Sequence, residues 1–355
     1  KSLQDHIKNF GNNLLWDGLD QSGRNALIEI IIRKYNQQTV IVLCENDKRV
    51  NTLTVELKKV IERPIFPIFQ RSHLPVEVLA KEEDDGERIA ALYSLIQKNS
   101  CVLVINAMVL FEYFPLPNYF ESGIFSCNIG EEISQEVFLE KLVDRGYESV
   151  SVCDQCGTFA RRGGIVDFFS PNYSMPIRVE WFDDEVDSIR FFSAETQKSE
   201  SNIESFMAIP AIDMFFSKEL RRNLISGIQD ELASIKNDLS NDAMNQLGEK
   251  INDVSKNPLE NGLIGYYSYL VPEFNATLFD YLSSDAIFCI DETEMVENAI
   301  KTKHDAILSQ LGDLFSYGYI LPSKIESFLT IDVVKDLIQD QRCILLSEVA
   351  RAHNI

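Results

Sequence analysis

Short buried strands that alternate with amphipathic helices are the feature that most constrains the fold of this chain. Continuous apolar runs, typical of strands covered on both faces, begin at Thr39 (TVIVLC), Cys101 (CVLVIN) and Ala286 (AIFCIDE). Segments 24–35 and 87–97 carry apolar residues at helical spacing. Because strands that alternate with helices form parallel sheets, we predict an α/β domain with a parallel sheet.

A block in the middle of the chain has a different pattern. One helix, SQEVFLEKLVDRGY, is followed by short strands separated by turn residues such as Gly163–Gly164. We predict a small β-rich α+β domain over residues 126–210. The α/β pattern resumes afterwards, so this insertion would divide the parallel-sheet domain into residues 1–125 and 211–355.

The charge balance argues against one class of function. The chain has 33 basic and 55 acidic residues, a formal net charge of -22. Such a field repels phosphate backbones, so we expect no broad nucleic-acid binding by this chain alone.

The cysteines indicate a reducing compartment. Their number is odd, seven, and most lie within apolar runs, as in cytoplasmic proteins with free thiols. Cys153 and Cys156 form a lone CxxC pair without the two further ligands that zinc requires. We therefore predict no metal site, and no apolar run is long enough to predict a membrane partner.

Residues 18–25 read GLDQSGRN and match the frame of a phosphate-binding loop, G-x-x-x-x-G-K-[ST]. Gly18 and Gly23 occupy the two glycine positions. Arg24 replaces the lysine that contacts the outer phosphates, and Asn25 replaces the hydroxyl that binds Mg²⁺. The sequence therefore predicts a degenerate nucleotide loop.

A second part of such a site follows the apolar strand that begins at Ala286. Asp291 and Glu292 end this strand, where nucleotide-binding folds place acidic residues. Three explanations remain open: an ancestral nucleotide fold that has lost its function, residual weak nucleotide binding, or coincidence. Too few residues follow Asp291 for a second motor lobe with an arginine finger.

The strand sequence RVEWF predicts a different kind of site. Arg178, Glu180 and Phe182 share one face because side chains alternate along a strand, and Arg162 precedes a nearby turn. A cation, a carboxylate and an aromatic ring on one exposed face are typical of a protein-binding hot spot. In the alternative, Phe182 lies in the domain core and the arginines pair with the acidic residues of the segment DDEVD that follows.

No pattern of catalytic residues is present in the sequence. It contains neither G-x-S-x-G nor a histidine-rich cluster. We predict no catalytic residue in this chain.

The segment GTFARRGGIVDFFS, together with PIRVEWFDDEVDSIRFFS, resembles the UvrB-homology region of the bacterial transcription-repair coupling factor family. Further similar segments, among them LEKLVDRGYESV and IFCIDETE, extend the resemblance over nearly the whole chain. The resemblance implies a degenerate RecA-like domain, similar to a helicase lobe or P-loop NTPase, interrupted by a small domain that binds the repair protein UvrA.

The resemblance also implies which residues contact UvrA. The family's contacts fall on Arg162, Arg178 and Phe182, and in UvrB relatives also on the position of Glu180. Two further arginines of UvrB are replaced, and their positions correspond to Ser149 and Ala160. A smaller UvrA footprint than that of UvrB is therefore expected.

In the family, the full-length protein is an ATP-dependent DNA translocase that displaces stalled RNA polymerase and recruits UvrA. The resemblance implies that ATP and Mg²⁺ bind to motor lobes outside this region, so we expect neither enzyme activity nor a cofactor here. RNA polymerase, DNA and the protein's own C-terminal domain, which masks the UvrA face, would be partners of the whole protein. A nucleotide-binding or DNA-damage-binding UvrB-like protein is the alternative, although the stretch 67–88 lacks the tyrosines of UvrB's DNA-probing hairpin.

Overall fold

The computed structural model describes residues 13–71, 85–235, 239–256, 271–326 and 328–348. Contacts within the chain define two compact units. The first comprises described residues of 1–74, 94–113 and 277–355, and the second those of 75–93 and 114–276. These units follow contacts alone, so the predicted boundaries at residues 125 and 210 stay a prediction. Most of the stretch compared with UvrB's hairpin, residues 72–84, lies outside the described residues.

Strands and helices are numbered here in chain order. The first elements are β1 (Asn13–Trp16), α1 (Gln21–Lys34), β2 (Val40–Cys44), α2 (Asp47–Leu57), β3 (Ile65–Ile68), α3 (Asp85–Ile96), β4 (Val102–Asn106), α4 (Pro117–Ser122), β5 (Phe125–Asn128) and α5 (Gln135–Asp144). The strands that follow are β6 (Glu148–Ser149), β7 (Thr158–Arg162), β8 (Ile165–Phe168), β9 (Ile177–Phe182), β10 (Glu185–Phe192), β11 (Ser199–Ile203) and β12 (Ser205–Ala208). The last elements are α6 (Lys218–Ser234), α7 (Asn241–Lys256), β13 (Ile287–Ile290), α8 (Thr293–Ser316), α9 (Ser323–Glu326), α10 (Ile331–Gln339) and β14 (Arg342–Leu346).

The first unit is built on a six-stranded sheet in the order β1-β14-β13-β2-β4-β3, with every pairing parallel. The apolar runs predicted as buried strands form the central strands β13, β2 and β4. All five residues of β2 and of β4 are buried. Pro67 lies in the edge strand β3, where a missing N–H costs no ladder hydrogen bond. The predicted α/β class with a parallel sheet is confirmed.

The second unit is built on a separate sheet in the order β11-β10-β9-β8-β7-β6. Its pairings are antiparallel except that β6 runs parallel to β7, so the sheet is mixed rather than purely antiparallel. The parallel pair arises because residues 150–157 return the chain to the same end of the sheet before β7 begins. The inner face of the sheet carries the core.

Aromatic side chains fill the core of the second unit. Phe138 of α5 is fully buried and lies with its ring centroid 5.1 Å from that of Trp181 and 5.8 Å from that of Phe168. Such aromatic contacts add about 0.5–1.5 kcal/mol each to area burial. The inner face of β8 and β9 is thereby anchored, which leaves the alternate side chains of these strands on the outer face.

The described helices give no support for a membrane segment. None of them combines enough length with enough apolar character to cross a bilayer.

Candidate functional site

The predicted nucleotide loop, residues 18–25, begins after β1 and continues into the first turns of α1. Gly18 adopts a left-handed backbone with φ of +72°. Asp20 caps α1, and its side chain accepts the Gly23 N–H at 2.7 Å. A phosphate bound at a helix N-terminus would need these backbone donors, and here a carboxylate of the chain itself already uses one of them.

Arg24 is buried and contacts both predicted acidic residues, which follow β13 at the same edge of the sheet. Its Nε lies 3.0 Å from Asp291 Oδ1, and its Nη1 lies 3.0 Å from Glu292 Oε2. Nη1 also donates to the Leu19 carbonyl at 2.9 Å. The tertiary structure therefore brings Arg24, Asp291 and Glu292 together, but the cation faces carboxylates of the chain rather than an open surface.

The surrounding carboxylates determine the direction in which the pKa of Arg24 is shifted. Burial alone would lower the pKa of Arg24, but the charge of Asp291 and the hydrogen bond to Glu348 outweigh burial and raise this pKa. Arg24 therefore stays fully charged in the folded protein. A buried charge of this kind is tolerated only when partners neutralise it.

A second arginine, Arg49 of α2, was not predicted from the sequence. Its Nε lies 2.5 Å from Asp291 Oδ2, and its Nη2 donates to Asn25 Oδ1 at 2.5 Å. Asn25 in turn donates to Glu56 at 2.5 Å. The signal available in the sequence was that Arg49 follows β2, because neighbouring parallel strands end at the same edge of a sheet.

Glu292 completes this arrangement in an unusual backbone conformation. Its φ is +61°, in the left-handed region, and its side chain accepts the Glu348 N–H at 2.7 Å. We call Arg24, Arg49, Asp291 and Glu292 the arginine–carboxylate cluster. Its two cations pair with its two anions, and the exposed Glu348 adds a third carboxylate 3.3 Å from Arg24 Nη1. Paired cations of this kind favour a structural role over phosphate binding.

The outer face of the second unit's sheet carries the other predicted residues. In the register of β8 and β9, Arg178 is opposite Asp167 and Glu180 is opposite Ile165. Arg178, Glu180 and Phe182 alternate along β9, so they share this face. The face-sharing that the sequence predicts is present in the structure.

Arg178 is held by a residue that the sequence reasoning missed. Its Nε and Nη2 donate to the two carboxylate oxygens of Asp167 at 2.7 and 2.8 Å, and Asp167 is completely buried. The guanidinium lies 4.6 Å from the centre of the Phe192 ring. The hydrogen bond to Asp167 raises the pKa of Arg178. Arg178 is thus a largely enclosed side chain, 15% exposed, whose partner is Asp167 rather than the segment after Phe182.

Glu180 is compensated from the neighbouring strand. Its carboxylate accepts a hydrogen bond of 3.0 Å from the Ser188 hydroxyl and forms an ion pair with Arg190. With Asp167 and Arg178, these residues give the centre of the face equal numbers of positive and negative charges. The centre is therefore largely satisfied by its own contacts.

Phe182 and Arg162 are the open groups of this face. Phe182 is 74% exposed, so the alternative in which it packs in the core is wrong. The Arg162 side chain is exposed and makes no hydrogen bond or ion pair with another residue of the described chain. We call Arg162, Arg178, Glu180 and Phe182 the outer-face set. Of the two positions where UvrB's arginines are not kept, Ser149 is exposed and Ala160 is buried.

The cysteines offer no comparable site. None of the seven, all of which lie in the described residues, forms a disulfide; Cys153 is buried and Cys156 is exposed. Among the described residues, no group of three or more His, Cys, Asp or Glu side chains is arranged to hold a metal ion.

The outer-face set lies within a part of the chain that is similar to a described family of domains. Residues 125–214 match the family described as the UvrB interaction domain. The chain is also 27% identical over 320 residues to a transcription-repair-coupling factor of Staphylococcus aureus (strain bovine RF122 / ET3-1), which covers 87% of this chain. A transcription-repair-coupling factor of Staphylococcus haemolyticus (strain JCSC1435) is 26% identical over 348 residues, which covers 96% of this chain.

Residues 125–214 are therefore similar to a UvrB interaction domain. More particularly, the chain's resemblance to the UvrB-homology region of transcription-repair coupling factors is confirmed. The aligned part spans 27% of the length of the first relative and 29% of the second.

Proposed function

We propose that this chain is a docking module that binds UvrA through the outer face of its β7–β10 sheet. The observation that carries the proposal is Phe182, a large aromatic side chain that is 74% exposed within the part of the chain that matches the UvrB interaction domain. An exposed aromatic ring beside an unpaired arginine is the kind of group that dominates protein–protein binding energy.

The two open groups would make complementary contacts. The guanidinium of Arg162 can form a bidentate, charge-assisted pair with a carboxylate of UvrA. Phe182 can bury its ring against an apolar patch beside that carboxylate. Because both side chains are free of intramolecular partners among the described residues, binding would break no existing contact.

The proposal gives Arg178 and Glu180 a supporting place in the same footprint. Asp167 holds Arg178 in one orientation, so the edge of the guanidinium that stays exposed would meet UvrA without loss of side-chain freedom. Glu180 is 30% exposed at its side chain and retains accessible carboxylate surface.

Binding of purified UvrA to the wild-type chain, Phe182→Ala and Val143→Ala, measured by calorimetry, tests the proposal. We expect Phe182→Ala to weaken binding more than tenfold. Val143 is an exposed apolar residue at the end of α5, away from the outer face, and its truncation should leave binding unchanged. Equal affinity of Phe182→Ala and wild type would remove the basis for this assignment.

In a full-length protein, we propose that UvrA docking recruits excision repair to RNA polymerase stalled on damaged DNA. The motor that uses ATP and Mg²⁺ would lie outside this chain, which itself would be neither an enzyme nor a cofactor-binding protein. A cytoplasmic location suits such a module and its seven free thiols.

Masking of the outer face by the protein's own C-terminal domain is the second part of the proposal. An exposed Phe182 would be a suitable surface for such an autoinhibitory contact. Competition between the C-terminal domain, added as a separate protein, and UvrA for the wild-type chain tests this part. Simultaneous binding of both partners would contradict it.

A further inference from the structure

The turn between β7 and β8 lies beside Phe182, as the strand register shows. Ile165 pairs with Glu180, and the Trp181 N–H donates to the Gly164 carbonyl at 2.9 Å. This hydrogen bond places Gly164 beside Trp181, the residue that precedes Phe182 in β9. The turn and the exposed ring are therefore neighbours on the outer face.

Open space surrounds the turn at Gly163. A Cβ atom added there would meet no atom within 4 Å, and the residue is exposed with φ of +61°. Gly164 differs, because a Cβ on it would lie 3.3 Å from the Trp181 carbonyl oxygen. The surface beside the Phe182 ring is thus bare backbone, open to a side chain from another protein.

Contacts from the inner side hold this turn in place. The buried Gln135 of α5 donates its side-chain amide to the Gly163 carbonyl at 2.9 Å. The adjacent Glu136 pairs with Arg161 at 2.9 Å. A surface that is fixed before binding loses little conformational entropy when a partner docks.

We propose that the Gly163–Gly164 turn is a floor of the UvrA docking surface, with Phe182 beside it and Arg162 at its margin. The occupant would be an apolar side chain of UvrA that packs on Phe182 next to a carboxylate that pairs with Arg162, since Phe182 is an exposed apolar ring and Arg162 an exposed cation. This inference rests on the proposed function. It assigns glycine at position 163 a role in binding in addition to its role in the turn.

The test is Gly163→Asn, because asparagine tolerates positive φ better than most residues and its side chain would extend over the floor. The matched control is Gly18→Asn. Gly18 has φ of +72°, is exposed and also has no atom within 4 Å of an added Cβ, but it belongs to the first unit. We expect Gly163→Asn to weaken UvrA binding at least tenfold and Gly18→Asn to leave it unchanged.

Four outcomes separate the inference from the proposed function. If the wild-type chain does not bind UvrA, both fail. If Phe182→Ala loses binding while Gly163→Asn binds like wild type, the proposed function stands and the assignment of the Gly163–Gly164 turn to the docking surface is wrong. Loss of binding in Gly163→Asn with unchanged thermal unfolding supports the floor. If Gly163→Asn does not fold, hydrogen exchange of the wild type decides: UvrA should protect the amides of residues 158–166, and absence of protection overturns the inference.

Discussion

The arginine–carboxylate cluster lies at the edge of the parallel sheet where the strands end, and the outer-face set lies on the second sheet. Both regions place arginines beside carboxylates, yet they differ in which side chains remain accessible to a partner. At the edge, Arg24 is only 6% exposed and Asp291 only 3%, and each is paired. On the outer face, Phe182 is 74% exposed and Arg162 is also accessible. The comparison teaches that a sequence motif such as GLDQSGRN can identify a position in the fold without identifying a binding site. Exposed side chains such as Phe182 and Arg162 identify a surface that can bind a partner.

Pairing explains the difference in physical terms. A buried guanidinium that already neutralises two carboxylates has no favourable energy left for a phosphate, because binding would first have to break those pairs. An exposed arginine and an exposed ring lose only water and side-chain freedom on binding. The first region therefore supports stability, and the second supports recognition.

Removal of Arg24 should have the largest effect. Arg24→Met would leave the buried Glu292 without its cation and Asp291 with Arg49 alone, and we expect the free energy of unfolding to fall by about 3 kcal/mol. Urea denaturation measures it. The control is Arg33→Met on the same helix. The Arg33 side chain is 56% exposed, pairs with Glu29 and donates to the Val60 carbonyl, and its removal should cost no more than about 1 kcal/mol. Equal losses in the two variants would mean that the cluster does not stabilise the edge.

Substitution of Arg178 should lower both the stability of the chain and its binding to UvrA, which distinguishes Arg178 from Phe182. Arg178→Met would orphan the fully buried Asp167, so we expect about 3 kcal/mol less stability as well as weaker UvrA binding. In the double variant with Asp167→Asn, part of the stability should return because no buried charge remains unpaired. A double-mutant cycle by denaturation and calorimetry measures both quantities. Stability close to wild type in Arg178→Met would show that Asp167 is not its essential partner.

Two adjacent arginines provide a sharper test of the outer face. Arg162→Glu should weaken UvrA binding about tenfold or more, which corresponds to about 1.4 kcal/mol. Arg161 is the next residue of the same strand, but it projects to the other side and pairs with Glu136. Arg161→Glu should therefore have a clearly smaller effect in the same calorimetric titration. The reverse ranking would move the docking surface to the inner side.

The smallest expected effect is at the predicted nucleotide loop. Titration of the wild-type chain with ATP and Mg²⁺ should give no heat of binding. The reason is that Arg24, the cation that a phosphate would need, is already paired with Asp291 and Glu292. Saturable heat that disappears in Arg24→Met would instead support residual nucleotide binding. That result would also weaken the contrast between the two regions.

Much of the architecture was predictable from local patterns. The apolar runs at 39–44 and 101–106 became the buried strands β2 and β4, since a strand covered on both faces needs apolar residues on both. The parallel pairing of β6 was not predicted, because a strand of two residues carries too little alternation to indicate its direction. Arg162 and Phe182 were predicted as site residues, but Asp167, which holds Arg178, and Arg49, which pairs with Asp291, were missed.

The sequence by itself determined that Arg178, Glu180 and Phe182 share one face, since side-chain alternation along a strand is a local property. It also determined that Arg24 stands at the lysine position of a degenerate loop. Only the tertiary structure decided that Arg24 and Arg49 share Asp291, that Asp167 holds Arg178, and that Phe182 remains open. Those outcomes depend on which strands become neighbours and in what register, and residues distant in the chain settle both.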